Sequence, residues 1–189
     1  MKCAAGHCRL VEGILAVQGR GGCQGTGFQA TDFLAPMKIT GRAGQELNQV
    51  WRDGAEAYLG MTVSGFPNLF LLYGPNTNLG HNSILYMLES QFAYIIDTLQ
   101  QMRAQQWQSV DVKSQVQGVY NRWVQNQLNN TIWAAGCHSW YKTESGKNTN
   151  NWVGFTLLYR YKTRHFQAQD YVTQPILAST STKLCAVAA

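Results

Sequence analysis

Gly74-Pro75-Asn76-Thr77-Asn78-Leu79-Gly80-His81-Asn82-Ser83 opens onto a run in which Ile84, Leu85, Leu88, Phe92, Ile95, Ile96 and Leu99 recur at helical spacing. That spacing gathers the apolar positions on one face and predicts an amphipathic helix running to about Arg103. Asn82 or Ser83 is its N-cap, since a short side-chain oxygen can take an otherwise unpaired first-turn N–H. On the other side of the loop, Leu69-Phe70-Leu71-Leu72-Tyr73 is a short continuous apolar run, which predicts a buried strand. Gly74-Pro75 ends it, because proline has no N–H to give to a ladder. A strand that delivers a polar loop onto a helix N-terminus suits an anionic or electron-rich group, which the free N–H groups and the helix dipole both favour. Asn76, Asn78 and Asn82 add amides that donate and accept. The plain alternative is an ordinary capped helix, with His81 a solvated loop residue rather than a base.

Further along, Val110-Asp111-Val112 reads as a short strand. Ser114 to Asn130 reads as a second helix, with Val116, Val119, Tyr120, Trp123, Val124 and Leu128 on one face. Trp133 to Asn151 is loop-like. Phe155 to Arg164 alternates, Phe155, Leu157, Tyr159 and Tyr161 against Thr156, Leu158, Arg160 and Lys162, and so predicts a strand. Residues 167–189 carry no strong period and read as a loose tail. Upstream, Gly41 to Leu59 is polar, anchored by Trp51 and Tyr58. Residues 1–24 are broken by glycines, with only Gly13-Ile14-Leu15-Ala16-Val17 strand-like. There is no internal repeat.

Composition bounds the answer. The chain has 189 residues, 45% hydrophobic and 12% aromatic, which is enough for a packed core and excludes global disorder. It is too short for two complete dinucleotide-binding domains. A net charge of +5, with 13% of residues charged, is too weak to argue nucleic-acid binding. The 18 Gln and 12 Asn outnumber the 25 charged residues and imply an amide-rich surface. No stretch is long and apolar enough for a membrane span or a signal peptide, so a cytoplasmic, soluble chain is expected. The five cysteines are an odd number and argue against a disulfide framework. Cys3, His7, Cys8 and Cys23 match no common zinc ribbon or finger, so no metal site is expected and free thiols are the reading taken.

Four other stretches admit a functional reading beside a plain one. Gly25-Thr26-Gly27-Phe28-Gln29-Ala30 matches the dinucleotide fingerprint formally, but Pro36, Gly41 and Gly44 spoil the helix that must follow, leaving a glycine turn. Cys137 beside His138 lacks an orienting carboxylate and the geometry of a nucleophile and base. Trp140-Tyr141-Lys142 with the polar run Asn148 to Asn151 forms either a ligand-contacting loop or a loop pinned to the core. Tyr159-Arg160-Tyr161-Lys162 interleaves bases with aromatics as single-strand platforms do, but its period of two describes an ordinary half-buried strand.

In this order the segments resemble the C-terminal part of the class B flavoprotein monooxygenases, most of all their Baeyer–Villiger branch. The resemblance is carried by Gly25-Thr26-Gly27-Phe28; Gly65-Phe66-Pro67-Asn68-Leu69-Phe70; Gly74-Pro75-Asn76-Thr77-Asn78; Glu89-Ser90-Gln91; Gly136-Cys137 with Ser139-Trp140-Tyr141; and Asn151-Trp152 through Tyr159-Arg160. It implies an α/β fold, the C-terminal portion of a two-dinucleotide-binding-domain flavoprotein with an incomplete sheet: residues 25–166 as the end of the FAD domain and its C-terminal extension, 167–189 as the tail. It further implies an oxidoreductase using FAD, NADPH and O2 to insert one oxygen next to a ketone or onto a heteroatom. Carried over by position, Asn76, Asn78, Asn82, Ser83 and Ile84 lie against the flavin ring, Trp140 contacts the nicotinamide cofactor, and Thr26 and Gly27 mark the return from the NADPH domain to the FAD domain. No catalytic residue is assigned.

The departures are equally definite. Both glycine fingerprints, the Baeyer–Villiger signature and the upstream arginine of the family are missing. Residues 1–24 resemble nothing in the family, and a mis-started or frameshifted reading frame accounts for such a junction. The alternative is a catalytically inactive truncated chain or interaction module without bound flavin, self-associating through apolar surface that other domains would cover.

Overall fold

The computed structural model describes residues 31, 33, 34, 36–80, 82–131, 141–143 and 145–176. Its elements are α1 (Leu47–Val50), α2 (Ile84–Ala104), β1 (Trp107–Val112), α3 (Ser114–Asn129), α4 (Thr156–Lys162) and β2 (Tyr171–Pro175), with single 3-10 turns at Arg42–Gly44 and Ala168–Asp170. The class is mixed, as expected, and the sheet is small: β1 and β2 form an antiparallel pair in which Val110 faces Thr173 and Val112 faces Tyr171.

The long helix stands where the spacing placed it, with Ser83 at the N-cap. Its orientation differs from expectation. The face turned to the core carries Met87, Ser90, Gln91, Tyr94 and Thr98. Leu85, Phe92, Ile96 and Leu99 point to solvent, at 70%, 49%, 53% and 51% exposure. The polar members of the buried face are satisfied locally or by long-range bonds. Ser90 and Thr98 donate to carbonyls one turn back, and Gln91 donates to Tyr159 Oη while its Oε1 accepts the Tyr73 N–H. A helix with apolar residues on two sides is one that proteins cover on both.

Four expectations are corrected. Leu69–Tyr73 is not a strand: Leu71 donates to Met61 O, but the left-handed conformations of Asn68 (φ 60) and Tyr73 (φ 56) bracket the run and allow no ladder. Phe155–Arg164 is not a strand either, because Thr156, Tyr159 and Thr163 are the buried positions, a helical spacing that α4 satisfies. Part of the expected tail is regular structure: Ala168–Asp170 forms a 3-10 turn, and β2 gives the open edge of β1 its partner. On α3, Val119 lies outside the buried face and is 59% exposed, while Gln117 and Asn121 are inside it.

Two packed clusters result. The larger joins α2, β1, α3, α4 and β2 through Met87, Tyr94, Val110, Val124, Tyr159 and Tyr171. The smaller gathers Leu47, Trp51, Ala57, Val63, Phe66 and Leu71. Asp111 links them: it accepts the Gly65 N–H at 2.9 Å and pairs with Arg42 at 3.1 Å. Asn68 does the same at the edge of β1, where its N–H and Nδ2 donate to Val110 O and Gln108 O and its Oδ1 accepts the Val110 N–H. One side chain thus supplies the pairing that another strand would otherwise give.

Candidate functional site

The loop from Gly74 to Ser83 is held from below. Gly60 (φ +68) and Gly74 approach so closely that a Cβ on Gly74 would strike the Gly60 carbonyl, and one on Gly60 would strike Thr77. This seats the start of the loop on the Tyr58–Thr62 turn. Thr77 Oγ1 closes the bend by donating to Gly74 O at 2.7 Å. Asn76, left-handed at φ 58 and 1% exposed, donates through Nδ2 to Asn148 O at 2.8 Å and Asn151 O at 3.2 Å. Backbone bonds continue the seam: Asn76 N to Thr149 O, Asn78 N to Asn150 O, Trp152 N to Asn78 O. The 76–78 and 148–152 segments therefore run as one parallel, strand-like clamp, although neither forms a full strand.

That clamp aims the chain at the start of α2. Asn78 Oδ1 accepts from Tyr73 Oη and from Leu79 N. Asn82 Oδ1 accepts its neighbour's Ser83 N–H, and its Nδ2 donates to Thr156 Oγ1 at 3.1 Å, tying the N-termini of α2 and α4 together. Asn82 and Ser83 are exposed and Ile84 is half-buried. Among the described residues no side chain caps α2, and no acidic residue occupies its first turn. The positive end of a 21-residue helix is thus left open in a surface of amides. Within the clamp, three buried polar atoms, Asn148 Nδ2, Thr149 Oγ1 and Asn151 Nδ2, have no hydrogen-bond partner among the described residues. Buried donors are rarely left so, and each costs on the order of 1–3 kcal/mol unless something accepts from it.

Of the residues predicted to face a cofactor, the structure brings Asn76, Asn78, Asn82, Ser83 and Ile84 into one loop. It gives Asn76 a scaffold role: its side chain is spent on the clamp. Thr26, Gly27 and Trp140, with His81, the Cys3–Cys23 group and Cys137-His138, lie outside the described residues. The Asn148–Asn151 run was legible only as a polar loop, and its pairing with residues 76–78 had no local signal. Among the described residues no group of His, Cys, Asp or Glu could hold a metal, and no helix is long and apolar enough to cross a membrane.

An open helix start of this kind suits a group that carries or develops negative charge. The described residues show no pyrophosphate cradle: where a strand leads into a helix, at β1 and α3, the junction is Lys113 alone, with no glycine-rich turn.

The tyrosines packed behind the site are all held in their neutral form. Burial raises the Tyr171 hydroxyl to about 12, against the pull of hydrogen bonds from Thr62 and Tyr94. Tyr58 is raised by burial and by Asp170, whose Oδ2 accepts its hydroxyl at 2.6 Å. Tyr94, Tyr120 and Tyr159 are raised chiefly by burial.

No family model matches the chain. It is 43% identical over 192 residues to a Baeyer–Villiger monooxygenase of Pseudomonas aeruginosa, covering 93% of this chain and 36% of that protein. It is 37% identical to a Baeyer–Villiger monooxygenase of Streptomyces coelicolor, covering 84% and 31%. It is 39% identical to an FAD-binding monooxygenase of Aspergillus niger, covering 78% and 25%. Among solved structures, a Rhodococcus cyclohexanone monooxygenase bound to NADP+ superposes with a TM-score of 0.69 at 22% identity, over 79% of this chain and 29% of the other. A steroid monooxygenase bound to NADP gives 0.65 at 21%, over 73% and 26%. The chain spans about a third of the length of the first of these relatives.

Proposed function

We propose, for a chain that is kin over nearly its whole length to part of the flavoprotein Baeyer–Villiger monooxygenases, that it supplies the flavin-facing C-terminal portion of an FAD- and NADPH-dependent monooxygenase. The observation that carries the reading is the uncapped start of α2 at Ser83, set in an amide loop and held by the Asn76 clamp. FAD with NADPH and O2 supplies the oxygenating chemistry; the substrate is a small ketone or a molecule with a soft heteroatom. This chain's part is electrostatic and positional. The first-turn N–H groups of α2 stabilise negative charge on the ring edge, and Asn78, Asn82, Ser83 and Ile84 set where that edge lies. By resemblance, Trp140 contacts the nicotinamide cofactor, and Thr26 and Gly27 mark the return from the NADPH domain to the FAD domain. An odd number of cysteines supports a reducing, cytoplasmic setting.

In this reading the chain acts together with the remaining parts of such a flavoprotein, which supply the pyrophosphate cradle. The second reading, a chain that associates without flavin, is favoured by one observation: Leu85, Phe92, Ile96 and Leu99 form an exposed stripe along α2. Co-expression separates the two. The chain is produced together with the part of the Pseudomonas relative that it does not match. The expected result is a one-to-one complex that retains FAD and oxidises NADPH faster when a ketone is added. Absence of a complex, or equal flavin retention without this chain, contradicts the proposal.

A further inference from the structure

A cavity of about 620 Å³ opens between the Tyr58–Leu59 turn, α3 and the end of α4, apart from the α2 loop. Its size lies within the roughly 300–1,000 Å³ typical of small-molecule sites. Most of the lining is apolar or aromatic, from Leu59, Val116, Val119, Tyr120 and Trp123, with Gln115 beside them. Tyr120 packs edge-on against Tyr58 at 5.4 Å and lies 6.0 Å from Trp123, so the aromatic wall is fixed by its own contacts. Val119 occupies this wall while 59% exposed, at a helix position where packing among the described residues gives no reason for an aliphatic residue.

Two charges line the cavity, and they are not equivalent. Lys162 is exposed; its Nζ lies 4.7 Å from the centre of the Trp123 ring, and no carboxylate pairs with it among the described residues. Asp170 is half-buried and already engaged, accepting the Tyr58 hydroxyl through Oδ2. The cavity therefore offers an apolar slot with an available cation over its aromatic wall and a fixed anion elsewhere on its lining.

We infer that this cavity is a second binding site, for an amphipathic monocarboxylate with a flat or short aliphatic body. The body lies against Trp123, Val116 and Val119, and the carboxylate replaces the Trp123 ring as the partner of Lys162. Asp170 disfavours a second carboxylate on the ligand, so dicarboxylates are excluded by like-charge repulsion. The inference is independent of the flavin reading, and its test needs no flavin.

The test is calorimetric titration of the full chain with 4-phenylbutyrate, its amide, and 4-(4-carboxyphenyl)butyrate. Saturable one-to-one binding of the first is expected, with the amide and the dicarboxylate each weaker by about fivefold or more, the scale of one partly exposed ion pair. Lys162→Met removes the preference for carboxylate over amide. Val119→Glu, at an exposed position, abolishes binding of 4-phenylbutyrate while the circular-dichroism melting curve stays as in the unmodified chain. If Val119→Glu does not fold, the Lys162→Met comparison decides. Unsaturable binding, equal binding of acid and amide, or binding unchanged in both variants overturns the inference.

Discussion

Asn76 shows how much a single side chain sets in this molecule. It combines a left-handed backbone, complete burial and two donated hydrogen bonds, a combination that few residues other than Asn allow. Asn76→Ala is expected to destabilise the fold by about 2–4 kcal/mol, because it strains the turn and removes both bonds to buried carbonyls. Urea denaturation measures this; a change below about 1 kcal/mol contradicts the clamp. Asn68 makes a similar case at the edge of β1. Asn68→Asp keeps the acceptor for Val110 N but turns the Gln108 contact into a repulsion between oxygens, and is expected to cost about 1–3 kcal/mol by the same measurement. Residue types were informative here even where roles were not. The loop asparagines stood out in the sequence, but the partners that hold the Asn76 side chain lie more than seventy residues away, beyond the reach of local pattern.

Among the elements, α2 and α3 were legible because long helices repeat their period several times. The short α4 was not: over ten residues its side chains satisfy periods of two and of 3.6 alike. What decides for helix is tertiary, the burial of Tyr159, whose hydroxyl donates to Leu59 O at 2.6 Å. Periodicity also placed α2 correctly while assigning its core side wrongly. It found the more apolar stripe, and the chain buries the other, through Gln91, Tyr94 and Thr98. The exposed stripe then has a use at the element scale. Ile96→Lys with Phe92→Glu is expected to leave the melting temperature of the chain nearly unchanged, since both residues are about half exposed. The same pair is expected to abolish capture by the rest of a monooxygenase in co-purification. A large loss of stability in the isolated chain would show that the stripe is packed within it.

At the scale of the whole molecule, the buried tyrosines link the fold to pH. Their folded-state values lie above the ordinary value near 10, so their contribution is fully present below that pH and is lost as the pH rises through the folded values. Alkaline unfolding is therefore expected to begin above about pH 10 and to be cooperative, with the absorbance of the five buried tyrosines rising together with loss of helix, after any earlier rise from exposed ones such as Tyr73 and Tyr161. Ionisation of the buried five with the helical signal intact would contradict the packing around Tyr94, Tyr159 and Tyr171. The mixed class and the resemblance to a known family were legible from ordered motifs. The joining of β2 to β1 was not, because a five-residue strand in a polar tail carries too little pattern.

The central claim is that the open N-terminus of α2 faces the flavin ring and favours its negative charge. The most direct measurement is the midpoint potential of FAD in the reconstituted complex, compared for the unmodified chain and for Ser83→Asp. Aspartate is a good N-cap, so the helix is retained while a negative charge is placed at its start. The account predicts a lower potential in Ser83→Asp, because the anionic reduced ring is disfavoured. An unchanged potential with FAD fully bound would contradict it.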